Sequence, residues 1–590
     1  MNEVVTGTPI ELELDNSTDA PVSLVNLKEE FGLTHYLFSY QSEEASVPSP
    51  VTVRWKFPAF GIKGVWRNTT DFNKRIQADW ELEDQRSRIS IDSPVLALFD
   101  PQDNNVLTFA CSNAINLITL GAKYREEDDF YYCHMTFFSE CKYPITNFEV
   151  QIRIDQRQEH LTNILGEVSQ WWEGFDMEPM PVPEIARKPL YSTWYQFHQN
   201  LDPLTLVAEC KLAKELGYEA IIIDDGWQTK DSNRGYDYTG DWEPDRIPDM
   251  AGLVRNIQNV GVKVGLWFSV PFCGVKSKAY QKFKGKFLTE NHRWAPVFDP
   301  RYPKVREHLV NIYRHAVEAW GLDGLKLDFI DDFQAYPETT FGDDPNRDHE
   351  SINDAVHTLL TEVREAVTTV RPDIFIEFRQ RYIGPAIRKF GNMLRAFDCP
   401  GDATMNRVRI ADIRQLAGNT AVHSDMITWN FNTSVQDASL HMLGTLFGVP
   451  QLSVLLSETP KDHLEMIGFY TRYWNRRSEV FCNGQFQAIR PLSNYPVMQC
   501  HLDQVSIIGL YEDFVVSIDQ DFQELDLLNA KMTNQVMLNA DRDHGYFQYA
   551  ILDCTGKYLS SGMTEIKEGG NSWIVPAGGM IIFKADPDQD

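Results

Sequence analysis

The chain has no run of about eighteen apolar residues, so no segment is predicted to cross a bilayer as a helix. It has no CxxC pair. Its 9 cysteines, scattered from Cys111 to Cys554, are odd in number and lack framework spacing, which excludes a zinc ribbon and a dense disulfide scaffold. Basic residues are scarce: 55 Lys and Arg stand against 84 Asp and Glu, for a formal net charge of -29. Phosphate recognition needs clustered cations, so nucleic acid and an anionic membrane surface are excluded as partners. No GxSxG elbow, HExxH helix or GxxxxGK[ST] loop occurs, which removes the common serine-hydrolase, zinc-protease and P-loop chemistries. The opening stretch, MNEVVTGTPIELELDNSTDAP, has neither a basic region nor an apolar core. The expectation is a cytoplasmic protein, or an exported one if a leader has been removed.

What is present is a chain of 590 residues, enough for two to four domains, with 12% aromatics and 14 Trp. Flat indole faces suit a core, and they equally suit the apolar faces of sugar rings. The first 180 residues read as short alternating strands (TPIELELD, VTVRWKF, SRISID, NVLTFA, NFEVQIRID), which predicts a large antiparallel sandwich. A helix is predicted near His160–Trp172, and the Pro-rich MEPMPVPEIARKP reads as a linker.

From Pro189 the pattern changes to apolar runs separated by amphipathic segments. The runs are PLYSTWY, YEAIIIDD, VKVGLWF, GLKLDFI, IFIEFR, NMLRAFD, HSDMITW and VPQLSV. Eight strand–helix units over about 270 residues predict a closed (β/α)8 TIM barrel, with an open doubly wound sheet as the structural alternative. Strands return after Cys482 as VSIIGLY, FVVSID, QYAILD, SWIVPAG and GMIIFKA, a small β-sandwich. The expected layout is therefore a multidomain α/β plus all-β protein. It comprises an N-terminal β-sandwich domain at 1–180, a catalytic barrel at 186–480 and a C-terminal β-sandwich domain at 484–590.

A (β/α)8 barrel carries its active site at the C-terminal ends of its strands. Those ends hold Trp194; Asp224 and Asp225, followed by Gly226 and Trp227; Trp267; Lys326 and Asp328; Glu377 and Arg379; Arg395, Asp398 and then Asp402; and Asp425 with Trp429. Any single acid there could be a helix cap. Acids from five strands with interleaved tryptophans point instead to a pair of carboxyls working on a glycosidic bond. Lys326 and Asp328 are two apart and share a face, so an ammonium beside Asp328 is expected to keep it ionised for nucleophilic attack. The acidic loop Asp343–Glu350 lacks the glycine and glutamate of a calcium loop. His198, His349 and His423 share no ligand spacing, so no metal and no cofactor is expected.

The stretches IIIDDGWQ, GDWEPDRIPDMAGLVRNIQNVGVKVGLWFSVPF, FDPRYPKVREHL and GLKLDFI resemble the catalytic barrel of the α-galactosidases of glycoside hydrolase family 36. LRAFDCPGDA resembles the corresponding segment of the raffinose-synthase branch of that clan. The resemblance covers residues 185–480 and implies an N-terminal β-supersandwich, a barrel and a C-terminal sandwich. It implies that Asp328 is the nucleophile of a retaining hydrolase of terminal α-galactosides and that Lys326 binds sugar. It also implies that Asp224 and Asp225 bind galactose hydroxyls, with Trp227, Trp242 and Trp267 near the ring. Asp398 aligns to the acid/base, with Asp402 as its rival. The acid should have a raised pKa, helped by Phe397, Cys399 and Pro400, and should lie about 5–6 Å from Asp328.

One departure stands out: IEFRQRYIGP replaces the family's cysteine and glycine-rich stretch after the fifth strand. Glu377, Arg379 and Gln380 then fill space that glycine leaves open, and Arg379 or Arg381 is expected to meet an unusual or anionic galactoside. The alternatives are a raffinose-synthase-like galactosyl transferase and a carbohydrate-binding protein on a retired barrel. The partner is an oligosaccharide or glycoside, and a homo-oligomer is compatible with the sequence.

Overall fold

The computed structural model describes residues 10–15, 21–81 and 83–585. Thr8 and Pro9 of the first expected strand lie outside them, and the described part of that strand is Glu13–Asp15. In the N-terminal region a five-stranded sheet faces a six-stranded one, and all strand pairs are antiparallel. Val51–Pro58 shows why. Its Val51, Val53, Trp55 and Phe57 are buried while Arg54 and Lys56 are exposed, the period-2 signature of a sheet with one wet face. Phe38, Trp55, Phe109 and Tyr131 fill the space between the sheets.

A helix, α1 (Leu161–Glu173), leads to the barrel, with His160 capping its first turn. The barrel strands are β1 (Leu190–Ser192), β2 (Ala220–Ile223), β3 (Lys263–Ser269), β4 (Gly324–Asp328), β5 (Phe375–Arg379), β6 (Met393–Arg395), β7 (Ala421–His423) and β8 (Gln451–Leu452). They pair in parallel in the order β7-β6-β5-β4-β3-β2-β1-β8. Bridges between His423 and Val449 and between Ile427 and Leu452 bring β7 to β8 and nearly close the ring. β2 and β4 are buried along their whole length, as a parallel sheet covered by helices requires. Gly324 lets the strands approach, since a Cβ there would stand 2.1 Å from the Phe375 ring.

The helices between strands start and stop at sequence-readable caps. α2 (Pro203–Leu216) begins at Asp202, whose carboxylate accepts from Thr205 N, and ends at Gly217 with φ +103°. α3 (Met250–Asn259), α4 (Pro303–Trp320) and α5 (Ile352–Val370) follow the expected amphipathic segments. The seventh strand is a correction. It is Ala421–His423, so HSDMITW begins at its last residue and runs into the loop, where Ile427 bridges Leu452. Short strands carry too little periodicity to locate their ends. Beyond the barrel, a seven-stranded and a three-stranded sheet span Gln485–Ala585.

Candidate active site

The mouth of the barrel is built on the last residues of β2 to β6. In β4, Lys326 is level with Trp267 of β3 and Glu377 of β5, and Asp328 is level with Ser269. Lys326 and Asp328 therefore share a face, with Asp328 nearer the opening. The ammonium of Lys326 is paired with Asp224, at 2.5 Å, and is not the contact partner of Asp328. The cation on Asp328 is Arg379, whose Nε donates to Oδ1 at 2.6 Å. This corrects the expected Lys326 contact. β5 carries its guanidinium one step further toward the mouth than Lys326 reaches from inside β4. Trp267 Nε1 donates to Asp328 Oδ2 at 3.0 Å, Tyr382 Oη to Oδ1 at 3.2 Å, and the backbone N–H of Phe329 to Oδ1 at 2.7 Å. Burial alone would raise this carboxyl, but Arg379, Lys326 and the Trp267 indole outweigh it and hold Asp328 well below the usual carboxylate range. It is an ionised, oriented carboxylate.

On the adjoining strand Arg395 fans out to three acids. It donates to Asp398 at 3.0 Å, to buried Asp425, and faces Glu377 at 3.3 Å. The Asp398 side chain is 41% exposed, far more than any other carboxylate in this group. The expected rise in its pKa is not found. Burial pushes Asp398 up, but Arg395, with Lys326 and Arg379, pulls it below its ordinary value. The charge of the arginine three residues earlier, with the two other cations, outweighs the burial that would raise it. Asp425, without exposure, is pushed up. It accepts from Tyr195 Oη at 2.8 Å and from Cys399 N at 2.6 Å.

Asp224 and Asp225 stand where β2 turns. Gly226 has φ +116° there, and a Cβ would lie 2.6 Å from Gln199 Cα, so only glycine fits. Both oxygens of Asp225 are already held, by Gln228 Nε2 at 2.6 Å and Gln199 Nε2 at 2.7 Å, and burial raises its pKa to about 6. Asp402 does not join the cluster. Its carboxylate accepts from Met405 N at 2.8 Å and caps the helix α6 (Ala403–Ala417). Trp227 is also elsewhere. Its ring packs 5.6 Å from Trp320 and 5.3 Å from Phe268, between strands and helices, and its Nε1 donates to Trp267 O. Trp242, 5.7 Å from Trp267, is buried with an indole N–H that has no partner. Trp194 opens a one-turn helix beside His198.

Arg379 is committed to Asp328, with Asp331 a further 3.6 Å from Nη1, so it does not stand free for an anionic substituent. The acids Asp344 and Asp348 of the Asp343–Glu350 loop are engaged by Tyr302 and Arg306. Among the described residues no group of three His, Cys, Asp or Glu has metal-ligand geometry.

Several participants were missed. Tyr382 lies three residues beyond Arg379 in RQRY, and its only sequence signal was proximity to that strand end. Gln199 and Gln228 gave none. Asp331 and Asp332 follow Asp328 in DFIDD. Asp332 is pushed up to about 7, by burial and then by Asp331, and faces His292 Nε2 at 3.3 Å.

The melibiase family model matches residues 184–377. Asp224, Trp267, Lys326 and Asp328 fall inside the match, whereas Arg379, Arg395 and Asp398 lie beyond it. The α-galactosidase AgaA of Geobacillus stearothermophilus is 29% identical over 101 residues, covering 16% of this chain and 13% of that protein. An α-galactosidase of Escherichia coli is 30% identical over 113 residues, covering 18% and 16%. The alignments thus span less than a fifth of either curated relative. The crystal structure of a variant AgaA bound to raffinose has a TM-score of 0.65 at 12% identity, over 94% of this chain and 80% of that one. This likeness is one of fold, and it extends beyond the residues that the family model matches to the flanking sheets.

Proposed function

We propose that this chain is a retaining α-glycosidase acting on terminal α-linked, galactose-configured sugars, with Asp328 as nucleophile and Asp398 as acid/base. The observation that carries the reading is Asp328 itself, an ionised carboxylate at the end of β4, aimed by Trp267, Tyr382 and Arg379 and lying inside the residues that the melibiase family model matches. In the first step Asp328 attacks the anomeric carbon while Asp398 gives its proton to the leaving oxygen. The proton on Asp398 is favoured by burial and by the negative charge of Asp328, and opposed by Arg395 with Lys326 and Arg379. Once Asp328 is glycosylated that charge is gone, the pKa of Asp398 falls further, and the same group becomes the base that activates water. Asp224, clamped by Lys326, offers its remaining acceptor capacity to sugar hydroxyls.

A panel of aryl α-glycosides differing in configuration tests the substrate, and mass spectrometry after an activated fluorosugar tests the nucleophile. A covalent glycosyl on Asp328 and a strong preference for the galacto configuration are expected. Equal rates on α-glucosides, or no label, would overturn the reading. Products formed with added acceptor sugar separate hydrolysis from transfer.

A further inference from the structure

The loop after β6, residues 396–402, carries Asp398 and has no regular structure until α6 begins at Ala403. Its N–H groups are tied to the barrel: Phe397 N donates to Gln380 Oε1 at 3.0 Å and Cys399 N to Asp425. Its carbonyls face the other way. Arg409, on α6, donates through Nη1 to Phe397 O at 3.0 Å and to Asp398 O at 3.2 Å. The rest of the guanidinium is gripped from outside the barrel. Nε and Nη2 form a two-pronged pair with Asp71 at 2.8 and 2.7 Å, the planar fork geometry that fixes an arginine in orientation as well as position. Asp71 belongs to the N-terminal β-region, in a tight turn with φ +52°.

The contact is doubled three residues on. Lys74 of the same turn pairs with Asp412 of the same helix at 2.8 Å, both buried, and its ammonium also donates to Asp71 O. Asp71 and Lys74 therefore meet Arg409 and Asp412 with charges reciprocated. That pattern specifies one register between turn and helix, since a slip would set like charges against each other. Two further contacts anchor the same edge: Asp92 N donates to Arg381 O at 2.7 Å, and Gln380 Nε2 to Asn68 O at 3.4 Å.

From this geometry we infer that the N-terminal β-region positions the acid-bearing loop of the barrel, through Asp71 acting on Arg409. Asp71 and Arg409 are positioning residues. The inference rests on Asp398 being the acid/base only for its kinetic consequence. General acid catalysis depends on a proton donor held within hydrogen-bond reach of the leaving oxygen, so a looser loop should slow substrates that need protonation and spare those that do not.

The experiment uses the full chain with Asp71→Ala, Asp71→Asn and Arg409→Lys, the last keeping the charge while losing the fork. Hydrogen exchange of peptides covering 396–402 should accelerate about tenfold or more in Asp71→Ala, with exchange in β1 to β5 unchanged. Cleavage of an alkyl α-galactoside should fall about tenfold, and that of a dinitrophenyl α-galactoside by less than about threefold. Asp71→Asn and Arg409→Lys should shift both readouts the same way by less, which keeps the test available if Asp71→Ala folds poorly. Unchanged exchange at 396–402 overturns the inference, and so does an equal loss on both substrates. If the wild type cleaves no α-galactoside, the proposed function fails, and the exchange measurement alone still decides whether Asp71 holds the loop.

Discussion

Two buried charge clusters in this molecule have opposite character. At the junction of the three regions, Asp412 is fully subscribed. Lys74 and Trp66 from the N-terminal sandwich and Tyr495 from the C-terminal part donate to its two oxygens. At the barrel mouth, Asp224, Asp328, Asp331, Glu377, Asp398 and Asp425 share Lys326, Arg379 and Arg395, so carboxylates outnumber cations. Polar atoms there are left without partners, among them Asp331 Oδ1, Ser269 Oγ and Trp242 Nε1. A structural ion cluster closes its donor and acceptor inventory, because each unmet buried group costs about 1–3 kcal/mol. A working site leaves capacity for a substrate and accepts strained titration behaviour in exchange.

The sharpest break between the two clusters comes from Asp328→Ala. Turnover should fall at least about 10⁴-fold, because the covalent route is lost, while the protein still folds, since Asp331 and the Gln380 carbonyl remain to hold the Arg379 guanidinium. Kinetics and thermal melting of one preparation check both halves. Asp412→Ala should do the reverse. It leaves the Lys74 ammonium buried and unpaired, a loss of about 3–5 kcal/mol, with kcat per folded molecule largely retained. Denaturant unfolding measures the first, and active-site titration with the fluorosugar normalises the second.

Arg379→Met tests how the mouth cluster is tuned. Asp328 is depressed in the folded protein, so its pairing stabilises fully above the unfolded carboxylate value of about 4 and the contribution drains away as pH falls below that. Without the guanidinium the pKa of Asp328 rises. The acid limb of kcat/KM for an activated aryl galactoside should then move to higher pH, and acid unfolding below pH about 4 should lose part of its steepness. An acid limb that stays in place would mean Arg379 does not tune the nucleophile. The smallest effect belongs to Asp402→Ala. Loss of a helix N-cap costs about 1 kcal/mol and should leave leaving-group dependence and azide response unchanged, whereas Asp398→Ala should retain activity only on good leaving groups and be rescued by azide. If the two variants exchanged patterns, the acid would be Asp402.

The contrast also explains how much was readable in advance. Strand type, barrel count and flanking sheets follow from local periodicity: VTVRWKF alternates because one face is wet, and EAIII is continuous because both faces are covered. Asp224, Lys326 and Asp328 were visible because strand ends in a barrel converge by construction. Trp227 misled because an indole beside DDG gives no sign of which side of the strand it packs on, and the turn at Gly226 sends it outward. Asp402, the rival to Asp398 by spacing, caps α6, a role that depends on where that helix begins.

By itself, then, the sequence determined the architecture and the carboxylates at the mouth, since hydrophobic period and strand position are local properties of the chain. Only the tertiary structure decided which cation each carboxylate meets. Arg379 takes Asp328, Lys326 takes Asp224, Arg395 takes Asp398, and Asp71 reaches the loop of Asp398 through Arg409, 338 residues further along the chain. All but Arg395 with Asp398, which lie three residues apart, cross between strands or between domains. Charge in a buried site acts over a few ångströms, and those distances exist only once the chain has folded.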